Sequence, residues 1–205
     1  MTDREIQKAF AQWTLNMEAR RDSDGKLVVY RLPGGDGGGD FEVAGINDRY
    51  HPRMARTLRA MILRGEHDEA EIRARDYLEN YTDAVNEWHP DEVVEGYLRC
   101  CAFNRGPKGA AWILQYALRY GFSPSLYSDA YLLDGEYGRV TRRGAYSVAA
   151  QDPEKMLFAL FGARAIYERT PTAWKGSRDE GSIFWHGLYR RFVEDSMFAI
   201  SLAGQ

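Results

Sequence analysis

Apolar positions recur at helical spacing along most of this chain and give way to short β-prone runs in one place, just after the first helix. Ile6, Phe10, Trp13 and Met17 fall on one stripe and predict a helix over about 2–17. Thr2 and Glu5 supply a capping box at its start. Glu18 then stands at the C-terminal end of the helix, beside the stripe, where a carboxyl group meets the edge of a core rather than open solvent. The β-prone run Leu27-Val28-Val29-Tyr30, the glycine-rich turn Pro33-Gly34-Gly35-Asp36-Gly37-Gly38-Gly39-Asp40 and the run Glu42-Val43-Ala44-Gly45-Ile46 predict one small β-hairpin.

Helical periodicity resumes at Pro52. Met54, Leu58, Met61 and Ile62 face inward over 52–64, and a longer helix is expected over about 68–88 with Ala70, Ile72, Tyr77, Tyr81, Val85 and Trp88 as core positions. Two further helices fill 91–120, separated by Asn104-Arg105-Gly106-Pro107, with Asn104 expected to cap the helix that starts near Pro107. Residues 122–145 read as a polar connection with a turn at Asp134-Gly135, and helices over about 153–168 and 182–202 complete the chain. The predicted class is mainly α, an α+β lysozyme-like arrangement: a helical bundle with one small β-hairpin after the first helix. A catalytic part over 1–90 and a helical part over 91–205 are expected to pack as one compact unit.

Composition narrows the function classes. The chain has 205 residues, long enough for one substantial core, and its 44% hydrophobic content argues against disorder. A net charge of −3 gives no compositional reason to expect a nucleic-acid partner. No run approaches a membrane span, and the charged start Thr2-Asp3-Arg4-Glu5 is not a secretory signal, so the expectation is cytoplasmic synthesis without stable membrane insertion. Cys100 and Cys101 are adjacent and are read as buried small apolar groups on a helix, not as a disulfide framework. No cofactor or metal is expected. The four histidines lie far apart, the glycine-rich turn lacks the Gly-Lys-Ser/Thr ending of a phosphate loop, and Asp22-Ser23-Asp24-Gly25 is only a fragment of a calcium loop.

The most definite chemistry is carboxylate chemistry. Burial at a core edge raises the pKa of a glutamate, as a general acid working near neutral pH requires, so Glu18 is the candidate acid. A glycosidic bond also needs a second group on the other side of the sugar, and Asp36, Asp40 and Glu42 are the candidates. Glu42 is preferred, because a strand fixes its position better than a run of glycines does. Tyr30, Phe41, Asn47 and Tyr50, with Asp36 and Asp40, are candidate substrate contacts, since aromatic faces stack on sugar rings and amides bind their hydroxyls.

Several spacings resemble one family. Asn104-Arg105-Gly106-Pro107, followed by Ala110, Ala111, Leu114, Gln115, Ala117 and Leu118, is similar to an Asn-x-Gly-Pro block with a Leu-Gln-x-Ala-Leu continuation. Asp134-Gly135-Glu136-Tyr137-Gly138 with Thr141 is similar to an Asp-Gly-x-x-Gly-x-x-Thr turn, and Arg164, Tyr167, Phe184, Gly187 and Arg191 resemble a pair of closing helices. These are patterns of the peptidoglycan hydrolases of glycoside hydrolase family 108. In that family the first helix ends in Glu-Gly-Gly, where this chain has Glu18-Ala19-Arg20. The resemblance implies an N-acetylmuramidase acting on peptidoglycan glycan strands in the periplasm or cell wall, with a peptidoglycan-binding C-terminal part. It also implies release through a holin pore or a secretion apparatus. A non-catalytic peptidoglycan-binding module, a cell-wall peptidase and a lytic transglycosylase are the alternatives.

Overall fold

The structure, a computed structural model, describes residues 1–33, 39–122, 133–147, 149–169 and 185–204. Among these the chain is mainly α, with seven α-helices and a small three-stranded antiparallel sheet after the first of them. It divides into two compact units, one of residues 11–81 and one of 1–10 with 82–205.

The helix α1 (Asp3–Glu18) starts with the expected capping box: the Thr2 backbone N–H donates to Glu5 Oε2 at 2.7 Å, and the Glu5 N–H to Thr2 Oγ1 at 3.4 Å. Its buried side is Phe10, Ala11, Thr14 and Leu15, while Trp13 and Met17 are only half-buried.

In the unit of residues 11–81, α1 leads into a tight turn held by Asp22 Oδ1, which accepts from the N–H groups of Asp24 and Lys26. Arg21 grips Glu71 with both terminal guanidinium nitrogens, Nη1 and Nη2, at 2.7 and 2.8 Å, and this pairing holds the Glu71 carboxyl below its usual range. Then come β1 (Tyr30–Arg31), β2 (Phe41–Val43) and β3 (Ile46–Asn47), in the order β1-β2-β3. The expected second strand is thus two strands, because Ala44 and Gly45 both take positive φ, 51° and 74°, and reverse the chain between the paired Val43 and Ile46. That is the geometry of a two-residue type I′ turn. The helices α2 (Pro52–Leu63) and α3 (His67–Tyr81) follow, with Leu27, Val43, Ile46, Leu58, Ala74 and Leu78 in the core.

In the other unit a 3-10 turn, Thr82–Val85, leads to α4 (Glu92–Ala117), capped by Asp91 through the N–H groups of Val93 and Val94. The expected break falls inside α4: Gly106 has φ 69° and ψ 167°, and Pro107 restarts the helix. Asn104 does not cap that restart. Its Nδ2 donates to Cys100 O and its Oδ1 accepts from Arg191. The helices α5 (Arg139–Ser147), α6 (Pro153–Arg169) and α7 (Trp185–Ala203) complete the unit, and α5 occupies part of the stretch expected to be a connection. Gln115 explains the turn before α5. Its Nε2 donates to Asp134 Oδ1 at 2.7 Å and to Glu136 O at 2.9 Å, and its Oε1 accepts from Gly135 N–H at 3.0 Å.

His89, just before α4, is 2% exposed and accepts from Asp91 N–H through Nδ1 at 3.0 Å. Burial drives its pKa from 6.5 down to about 4. The unfolded chain therefore takes up a proton before the folded one does. The stability from a neutral His89 is complete above about pH 6.5 and is lost as pH falls through about 4, a difference of about 3 kcal/mol. Glu92 works in the opposite sense, since burial and then Asp3 and Glu95 raise its carboxyl to about 7. Comparison with His89→Asn isolates the histidine: its urea midpoint should lose less than that of the unaltered chain between pH 7.5 and pH 4.5.

Candidate active site

Glu18 closes α1 and is half-buried. Its side chain lies on the turn between β2 and β3, where a Cβ added to Gly45 would stand 3.1 Å from Glu18 Cβ and Cγ and 3.2 Å from Oε2. Gly45 is therefore required twice, by its positive φ and by the carboxyl group above it. Its neighbour Ala44 is 2% exposed and holds φ 51°, a left-handed conformation that costs a non-glycine residue about 1–2 kcal/mol. Backbone strain of this kind, next to an acid, is what functional sites tend to retain.

The sheet gathers three of the residues expected from the sequence. Glu42 is directly opposite Tyr30 on one side and Asn47 on the other, so these three side chains share a face. All three are half-buried. Phe41 and Val43 alternate with Glu42 and take the opposite face, so Phe41 is not in this group. Arg20 covers one face of the Tyr30 ring, with Cζ 4.5 Å from its centroid. That guanidinium takes one of the two ring faces a sugar would use, a contact no periodicity announces. Asn47 also uses Oδ1 to accept from Tyr50 N–H at 2.9 Å.

The remaining candidates are dispersed. Asp40 is exposed, and its N–H donates to Asp48 Oδ1 at 2.8 Å. Tyr50 is 66% exposed, with Arg49 over its ring. Asp36 lies outside the described residues. Gly45, expected inside a strand, and Asp48, not expected at the site, both turn out to shape it. Asp48 also accepts from Phe41 N–H, and a side chain on Gly39 would collide with it, so Asp48 pins the hairpin that carries Glu42. A groove of about 520 Å³ lies elsewhere in the same unit, lined by Met54, Met61, Ile72 and Tyr77 among others, and none of the expected site residues lines it.

In the other unit Cys100 and Cys101 are buried, and burial pushes the Cys101 thiol up to about 12. A group held protonated in this way is a poor nucleophile. Tyr137 stacks on Trp88 with centroids 4.4 Å apart and donates to Trp88 O, which gives it a packing role.

No protein-family model matches this chain, and no match was found among curated proteins or solved structures.

Proposed function

We propose that this chain is a glycosidase of the bacterial cell wall, an N-acetylmuramidase in which Glu18 is the general acid. The observation that supports this most directly is the seat of Glu18: a half-buried carboxyl group at a helix end, laid on a strained turn of the sheet that carries Glu42. In this reading Glu18 gives its proton to the glycosidic oxygen as the C–O bond breaks, and the leaving sugar departs as an alcohol. Glu42 stabilises the oxocarbenium-like centre, and water adds its hydroxyl at the new reducing end while its other proton returns to Glu18. Asn47 and Tyr30, on the face of Glu42, contact the acetamido and hydroxyl groups of the sugar. The substrate lies outside the cytoplasm, and a holin pore or a secretion apparatus would bring the enzyme to it.

Mass spectrometry of purified peptidoglycan after digestion tests the reading. Fragments with reducing muramic-acid ends are expected. Anhydro-muramic ends would identify a lytic transglycosylase, in which the sugar's own hydroxyl replaces water. New amino groups without new sugar ends would identify a peptidase, for which the buried Cys100 and Cys101 offer no accessible nucleophile. Wall binding with no released fragment would leave a binding module.

A further inference from the structure

The helix α2 carries a charge pattern that its unit does not use. Arg53, Arg56 and Arg59 recur every third residue and are all exposed, while Ala55 and Leu58 on the other side are buried. At 100° per residue the three guanidinium groups fall within about a third of the helix circumference, over about 9 Å of its axis. Among the described residues no acidic side chain forms a salt bridge with any of them. In sequence no acid occurs between Asp48 and Glu66. Both of those acids are engaged, Asp48 by the hairpin backbone and Glu66 by Arg64 at 2.7 Å. Arg59 lies over the Phe41 ring at 5.0 Å, so one of the three is steadied by an aromatic face.

An arginine-rich face on a chain of net charge −3 is a local feature and fits an anionic partner at short range. Its apolar margins indicate which one. Leu63, at the C-terminal end of α2, is 73% exposed, and Tyr50, just before the helix in sequence, is 66% exposed. A bare leucine gains nothing on a sugar–phosphate strand, whereas at a bilayer both side chains enter the interfacial layer while arginines meet lipid phosphates. We propose that this face of α2 docks the protein on an anionic bilayer surface, peripherally. Among the described residues no helix is long and apolar enough to cross a membrane. The proposal uses none of the residues assigned to glycan cleavage, Glu18, Glu42, Asn47 and Tyr30, so either can fail without the other.

Co-sedimentation of the full chain with vesicles provides the test, using phosphatidylglycerol mixed with phosphatidylcholine against phosphatidylcholine alone. Partition into the anionic vesicles only is expected, falling steeply at about 1 M salt, where charges are screened beyond about 3 Å. Each surface arginine contributes about fivefold, so Arg53→Gln with Arg56→Gln should lower partition about 30-fold. The corresponding double lysine variant should retain most of it. Leu63→Ser should weaken partition at constant charge. Circular dichroism melts confirm that these exposed substitutions leave the fold intact. Equal partition of the unaltered chain and the double glutamine variant, equal binding to neutral vesicles, or no vesicle binding would overturn the proposal. Arginine-dependent binding to a single-stranded oligonucleotide without vesicle binding would overturn it too and assign the face to nucleic acid.

Discussion

Asp195→Ala is expected to destabilise the unit built on α4, α6 and α7 by about 3–5 kcal/mol, the cost of removing one partner from a buried ion pair. Arg164 Nη1 donates to Asp195 Oδ2 at 2.8 Å, and the two side chains are 2% and 3% exposed. The next acid to Arg164 is Glu168 at 3.9 Å from Nε, and Glu168 is already held by Arg105 at 2.6 Å. Deleting the Asp195 carboxylate therefore strands a buried guanidinium that Glu168 is poorly placed to rescue. Combining Arg164→Met with Asp195→Leu removes both charges and should recover most of the loss, because apolar groups of similar size satisfy a buried site without desolvation cost. Urea denaturation of the single and double variants measures the difference. A double variant as unstable as Asp195→Ala would mean that the packing of these side chains, and not their charge, sets the cost.

How much of this was legible in the sequence depends on whether the determinant was local. The capping box of α1, the break at Gly106-Pro107 and the spans of α2, α6 and α7 come from residues close in sequence, and the structure places them within a few positions of expectation. The helix α5 was missed because Arg139–Ser147 has almost no apolar face. It buries only Thr141, Gly144 and Ala145, and Gln115 fixes the turn that leads into it from 19 to 21 residues away. The helix expected to reach 88 ends at Tyr81, although Val85 and Trp88 are buried as expected. Arg99 explains the shortening: from α4 it bonds Asp83 and Asn86, each at 3.1 Å, and holds the segment as a separate turn. At the site, alternation within β2 and its pairing with β1 and β3 put Glu42 with Tyr30 and Asn47, as strand logic allows. The seat of Glu18 on Gly45 was not readable, because Ala-Gly is a weak turn signal and the contact is made across the unit.

That seat makes the sharpest functional prediction. Glu18→Gln keeps the shape of the side chain but has no proton to deliver, and cleavage of peptidoglycan should fall by about 100-fold or more, the usual worth of a positioned acid. Substrate affinity should change little, since the amide still fills the space. Gly45→Ala probes the same group from below. The new methyl would meet Glu18 at 3.1–3.2 Å, in a backbone with φ 74° that alanine adopts only under strain. A carboxyl group displaced by a fraction of an ångström to an ångström loses up to about 100-fold in rate. The expected signature is a lowered kcat at a nearly unchanged KM, with a melting temperature a few degrees lower from about 1–2 kcal/mol of backbone strain. The pH profile separates positioning from simple damage: an alanine that moves Glu18 changes its surroundings, so the alkaline limb of kcat should shift, whereas a protein that is only less stable keeps the limb where it was. Full activity in Glu18→Gln would remove Glu18 from the chemistry and leave the strained Ala44-Gly45 turn as a structural feature of the sheet.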